Sequence, residues 1–177
     1  MKRSNVLTNY LSTVIDAVNN HGCAIAQHGG DNWTTFDEKG LNDYFDSEKL
    51  YWDSIGVTVK SAVCPSHFNT DLIRAIAGAR FGVVRCGYDY VDNHYDYFSS
   101  GSRSNLYGMS SYNINSKDLA ENKLAIDYAI ENKKILNIYW HDHDLNDSQK
   151  EVLEATIDYA KTKGIEFILL EDIPNLI

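Results

Sequence analysis

Proline is nearly absent from this sequence: two residues in 177, Pro65 and Pro174. Without a proline-rich stretch, a low-complexity tract or a visible internal repeat, no linker can be drawn. The whole chain, 1–177, therefore reads as a single domain. No run of roughly 18 apolar residues occurs, which excludes a membrane-spanning helix. The start, Met1-Lys2-Arg3-Ser4-Asn5, is basic but leads into an amphipathic stretch, so no signal peptide is read. Basic residues are in deficit, 16 Lys and Arg against 25 Asp and Glu, for a net charge of −9. Binding a phosphate backbone needs a basic surface, so nucleic acid is excluded as a partner. A neutral glycan is not. Cysteine is scarce and odd in number, Cys23, Cys64 and Cys86, with no C-x-x-C pair. These read as free, mostly buried thiols, not as a disulfide framework or a zinc knot, and a cytoplasmic folding history is the expectation.

What the chain does have is apolar and aromatic material: 44% hydrophobic, 12% aromatic, with 12 tyrosines. That is enough for a core without staples, because a domain of about 150 residues buries roughly 70% of its unfolded surface. Helical spacing of apolar residues predicts helices over 7–20, 41–55, 69–79, 117–131 and 147–162. Asp37 reads as a helix-start residue, Ser116 as a cap, and Asp144 or Asn146 as another. Gly22, Gly56 and Gly164 read as stops. Short apolar or β-branched runs predict strands at 23–27, 57–63, 81–84, 135–140 and 165–170. Helices alternating with such strands imply an α/β fold with parallel pairing, either a sheet or an incomplete (β/α) barrel. Between them, 86–115 is long, polar and rich in tyrosine (Tyr88, Tyr90, Tyr95, Tyr97, Tyr107, Tyr112). It reads either as a functional loop whose rings suit sugar faces or as an ordinary cover for the core.

In parallel α/β folds the ligand lies beyond the strand C-termini. His28-Gly29-Gly30-Asp31-Asn32-Trp33 follows the first strand, and Cys64-Pro65-Ser66-His67 the second. Arg85 follows the third, and His141-Asp142-His143-Asp144 the fourth. Four of the six histidines thus fall at one predicted rim. Imidazole and carboxylate suit zinc and similar ions, which activate water at neutral pH, and a further histidine can protonate a leaving group. The plainer readings stand beside this. A strand-end histidine is often only hydrogen-bonded, the glycines after His28 serve a tight turn, and His143 sits in a polar loop before a helix. There is no G-x-S-x-G elbow, and Ser66 and His67 are adjacent, so their side chains diverge. No phosphate-binding glycine motif occurs.

The order of segments resembles the polysaccharide deacetylase (NodB homology) domain, carbohydrate esterase family 4, over nearly the whole chain. The residues that carry the resemblance are His21-Gly22-Cys23-Ala24-Ile25-Ala26-Gln27-His28, then Val63-Cys64-Pro65-Ser66-His67-Phe68-Asn69. After them come Ala79-Arg80-Phe81-Gly82-Val83-Val84-Arg85 and Ile135-Leu136-Asn137-Ile138-Tyr139-Trp140-His141. The last is Tyr159-Ala160-Lys161-Thr162-Lys163-Gly164-Ile165-Glu166-Phe167. The C-terminal half is similar to deacetylase-like domains of phage and prophage tail proteins. The resemblance implies a distorted, incomplete barrel and removal of acetyl groups from a cell-wall or capsular glycan. It also implies a divalent metal, usually zinc. His28 matches the first metal histidine, and the second falls on Asn32, with Asp31 as a substitute ligand and catalytic carboxylate. His141 matches the late catalytic histidine. Pro65, Ser66, His67, Arg85 and Trp33 are the implied substrate contacts.

The family's leading strand, with its Thr-Phe-Asp-Asp-Gly motif, has no counterpart before His28. Thr35-Phe36-Asp37-Glu38-Lys39-Gly40 looks like it but follows His28. Two readings result: a shortened deacetylase-type hydrolase, or a catalytically impaired descendant that still binds glycan. A third is a structural part of a larger surface or virion protein. The absent first strand predicts an open edge and exposed apolar surface, and with them either a partner chain or larger parent protein at that edge or poor solubility.

Overall fold

The computed structural model describes residues 5–28, 32–67, 70–85, 98–99, 111–114, 117–141 and 145–176. In chain order they form α1 (Asn5–His21), β1 (Ala26–Gln27), α2 (Glu38–Ser54), β2 (Ser61–Val63), α3 (Asp71–Arg80) and β3 (Val83–Arg85). Then come β4 (Phe98–Ser99), β5 (Tyr112–Asn113), α4 (Leu119–Glu131), β6 (Lys134–Ile135), β7 (Ile138–Tyr139) and α5 (Asp147–Thr162). Short 3-10 turns occupy Trp33–Thr35 and Pro65–His67, and a longer one Leu170–Leu176. The chain divides into two compact units. One holds α1–α3, β1–β3 and Leu169–Leu176; the other holds β4–β7, α4 and α5.

In the first unit, β1, β2 and β3 form a parallel sheet in that order. Its register pairs Gln27 with Ala62, Ala62 with Val84, and Val63 with Arg85. Val83, Val84 and Arg85 are all buried. Successive strand residues point to opposite faces, so both faces of β3 are covered, as parallel sheets require. The crossover helix α2 starts where the sequence places it: the Asp37 carboxylate accepts from the Gly40 N–H at 2.7 Å. Its apolar stripe, Leu41, Tyr44, Phe45 and Trp52, is buried. Gly56, just past it, has φ +77°, a left-handed conformation that side chains resist. Thr70 caps α3 through its hydroxyl, which accepts from the Ile73 N–H at 3.2 Å. The core is aromatic at its centre, with the Trp33 and Phe45 rings edge to face at 5.0 Å and Phe45 and Phe81 at 5.4 Å. Lys60 pairs with Glu171 at 3.0 Å and fastens the C-terminal turn near the start of β2.

In the second unit, α4 and α5 pack on each other. Each begins in a reciprocal capping box, Asp118 with Glu121 and Asn146 with Gln149. Asp118 is thus the cap of α4; Ser116, expected in that role, lies outside the described residues. Of the two caps expected for α5, Asn146 is the one used. The buried apolar residues of the two helices are Ala125, Ala129 and Ala160, with the larger Ile126. Among them sits Asn122, 1% exposed. It donates to the Thr156 hydroxyl at 3.0 Å and accepts from the Tyr112 hydroxyl at 3.1 Å.

The α/β expectation holds, with parallel pairing in β1–β3 and in β5–β7. A closed barrel does not form among the described residues: beside the three-stranded sheet stand two separate pairs, β4–β6 and β5–β7. The single strand expected at 135–140 is two. β6 runs antiparallel to β4, and β7 runs parallel to β5. The strand expected at 165–170 makes no ladder. Phe167 is exposed, and Leu170 opens the 3-10 turn. Apolar content there supplied strand composition but no partner, and a ladder needs both. The cysteines also differ from expectation. Cys64 is disulfide-bonded, while Cys23 is free and exposed. An odd number leaves one thiol over but does not forbid a pair, so the ground for a cytoplasmic folding history is gone.

Candidate functional site

Because β1, β2 and β3 are parallel and adjacent, their C-terminal ends share one edge. His28 follows Gln27 directly and is exposed. Continuing the register puts it in the row of Val63 and Arg85. Strands lie about 4.8 Å apart, so the His28 and Arg85 backbones stand roughly 10 Å apart across β2. Arg85 is 7% exposed, a guanidinium held inside the strand end.

From β2 the chain passes through buried Cys64 and Pro65 to Ser66, which is exposed. Ser66 has φ +53° and ψ +23°, in the left-handed region. For a residue with a Cβ this costs roughly 1–2 kcal/mol, a strain that concentrates at functional turns. His67 ends that turn.

Asn32 serves a different purpose from the one expected. Its Oδ1 accepts from the Thr34 N–H at 3.0 Å and from the Thr34 hydroxyl at 2.8 Å, capping the turn Trp33–Thr35. A carboxamide oxygen has two lone pairs, and both are taken. Trp33 is 1% exposed, within the aromatic core, and its Nε1 has no hydrogen-bond partner among the described residues. Asp31 lies outside the described residues, as do His143, Asp144 and, apart from Tyr112, the tyrosines of 86–115. The Tyr112 hydroxyl is bonded to Asn122. His141 is exposed, two residues past β7, with the Tyr139 ring edge-on at 5.8 Å. β7 pairs with β5 and is not a strand of the β1–β3 sheet.

The implied metal can be tested against these donors. Among the described residues no three His, Cys, Asp or Glu side chains come together. Ligation through Asn32 would break its cap, at about 1 kcal/mol. His28 is in no group of three such side chains among the described residues, and Asp31, the other expected ligand, lies outside them.

Beneath the edge lies a network that the sequence reading missed. Buried Gln27 donates to the Tyr44 hydroxyl at 3.1 Å and accepts from the Trp52 indole at 3.2 Å. The available signal was a glutamine ending the apolar run CAIAQ, where an unpaired amide could not be buried. The edge presents the exposed His28 and Ser66, with Arg85 buried at the end of β3. Comparison with protein-family models, with curated proteins and with solved structures finds no match for this chain.

Proposed function

We propose that this chain is a polysaccharide-deacetylase-like domain that takes an acetylated cell-wall or capsular glycan at the strand-end edge of β1–β3. One observation carries the proposal: three adjacent parallel strands deliver His28, the Ser66 turn and Arg85 to the same edge. Open α/β sheets bind their ligands at that end. A neutral glycan is also the polymer that a net charge of −9 does not repel. The reaction that goes with this reading is hydrolysis of the acetyl amide to acetate and a free amine. No step is assigned to a metal.

The Asn32 oxygen, taken up by Thr34, favours a second reading, glycan binding without turnover in a phage or surface protein. A partner chain pairing with β1, an outer strand of the described sheet, is compatible with either.

The test uses the purified chain with added zinc and N-acetylglucosamine oligomers. Acetate release together with one zinc per chain, both lost in His28→Ala, supports hydrolysis. Oligomer binding without zinc or acetate supports the second reading. Neither binding nor release overturns both.

A further inference from the structure

The run Ile165-Glu166-Phe167-Ile168-Leu169 has the composition of a strand and lies in no ladder. Its backbone is tied only at the ends. The Ile165 N–H donates to the Ala160 carbonyl at 3.3 Å, and the Leu169 carbonyl accepts from the Asp172 N–H at 3.0 Å. Between them, Glu166, Phe167 and Ile168 make no hydrogen bond among the described residues. Phe167 is 57% exposed, so the run is open to a partner. Unpaired N–H and C=O groups on a β-prone segment are a template for another strand. The charges around the run say which strand. Lys161 and Lys163 precede it, and Glu171 and Asp172 follow it. A second copy laid antiparallel brings each basic flank to the other's acidic flank. Laid parallel, like charge would meet like. Centring the antiparallel pair on Phe167 sets the two rings side by side and Ile165 against Leu169. It also sets Glu166 against Ile168, so that neither Glu166 faces its own counterpart.

We propose that this run is a dimerisation strand: two copies of the chain pair antiparallel through residues 165–169, about a two-fold axis at Phe167. The axis closes the assembly at a dimer, because each copy has then used its run. The flanking charges already have partners in their own chain, Lys161 with Asp158, Lys163 with Asp127 and Glu171 with Lys60. They therefore set the direction of pairing, while the backbone ladder and the Phe167 rings supply its strength. With so short a ladder and a charge of −9 on each copy, the dimer is a weak one that forms and parts with concentration. The inference stands whether or not the β1–β3 edge takes a glycan.

Sedimentation of the full chain from about 5 to about 500 µM is the first test, and a shift from monomer to dimer is the expected result. A monomer across that range, or a species larger than a dimer, would overturn the proposal. Cysteine mapping in a Cys23→Ser background reads the register. Opposite residues of an antiparallel pair have Cα atoms about 4.5–5.5 Å apart, within disulfide reach. Under oxidised glutathione, Phe167→Cys should link two copies through position 167 at least tenfold faster than Glu166→Cys or Ile168→Cys links to itself. Mixing those two variants should join position 166 of one copy to position 168 of the other. Equal rates at all three positions would overturn the register. Phe167→Lys sets two ammonium groups face to face and should abolish the dimer with the urea midpoint of the monomer unchanged. A dimer that survives it would overturn the role of Phe167. If Phe167→Lys does not fold, the cysteine mapping decides.

Discussion

The Oδ1 atom of Asn32 takes both of its hydrogen bonds from one neighbour, Thr34, at 3.0 Å from the backbone N–H and 2.8 Å from the hydroxyl. The position that the deacetylase pattern gives to a metal ligand is here the cap of a turn. That turn sends Trp33 inward to the core. In this fold that oxygen serves the turn.

Asn32→Ala is expected to destabilise the chain by about 1 kcal/mol, the ordinary worth of a side-chain cap. Urea unfolding reads the loss, and zinc content should not change. Asn32→His places a second imidazole four residues after His28. It should tighten zinc binding at least tenfold in a chelator competition, and His28→Ala in the same chain should abolish the gain. No gain would mean that position 32 does not face a metal.

Gln27→Ala removes the shared partner of the Tyr44 hydroxyl and the Trp52 indole in a buried setting. About 2–3 kcal/mol of stability should go with it. Gln27→Met keeps most of the volume and should lose nearly as much, which would separate lost hydrogen bonds from a cavity. The urea midpoint, with an unchanged denaturant slope, is the measurement.

The Asp127 carboxyl sits below the usual carboxylate range, held first by Lys163 and then by the Tyr159 hydroxyl, which donates at 2.8 Å. A depressed folded value means stability that is present above the unfolded value of about 4 and lost as pH falls through the folded one. The gap between wild type and Asp127→Asn should therefore be full at about pH 7 and shrink below about pH 4. The Lys163 amine is pushed the other way, above the usual lysine range, by Tyr159 first and Asp127 second. Its share is present below the unfolded lysine value and lost as pH rises through the folded one. The cluster is exposed, so high salt should shrink the gap. Urea midpoints from about pH 3 to about pH 11, at low and high salt, check the carboxylate sign at the acid end and the lysine sign at the alkaline end.

The helices were the legible part. Asp37 before Leu41, Tyr44 and Phe45 announces both the start and the buried face of α2, because capping and 3.6-residue spacing are local. β1–β3 were found for a similar reason: a short apolar run between helices has few places to go. What failed was whatever depends on a distant partner. Ile165–Leu170 has strand composition, yet no strand pairs with it. Ile135–Trp140 splits because two different neighbours claim its two ends. The candidate site shows the same division. His28 and Arg85 follow from strand position alone. Trp33 reads from sequence as a ring beside a polar motif, and only the turn capped by Asn32 decides that it faces inward. The strand before His141 read from sequence as one more strand of a single sheet, whereas β7 pairs with β5.

Three of the four buried apolar residues of α4 and α5 are alanines, and short side chains resist sliding of one helix along another only weakly. A shift of one turn, about 5.4 Å, would cost Ala125, Ala129 and Ala160 little. It would strand the Asn122 amide away from the Thr156 hydroxyl. Together with the Tyr159 hydroxyl on Asp127, this polar pair sets the phase of the two helices. Positions 122 and 156 should therefore drift together in descendants of this chain, each tolerating a change only when the other supplies the matching donor or acceptor.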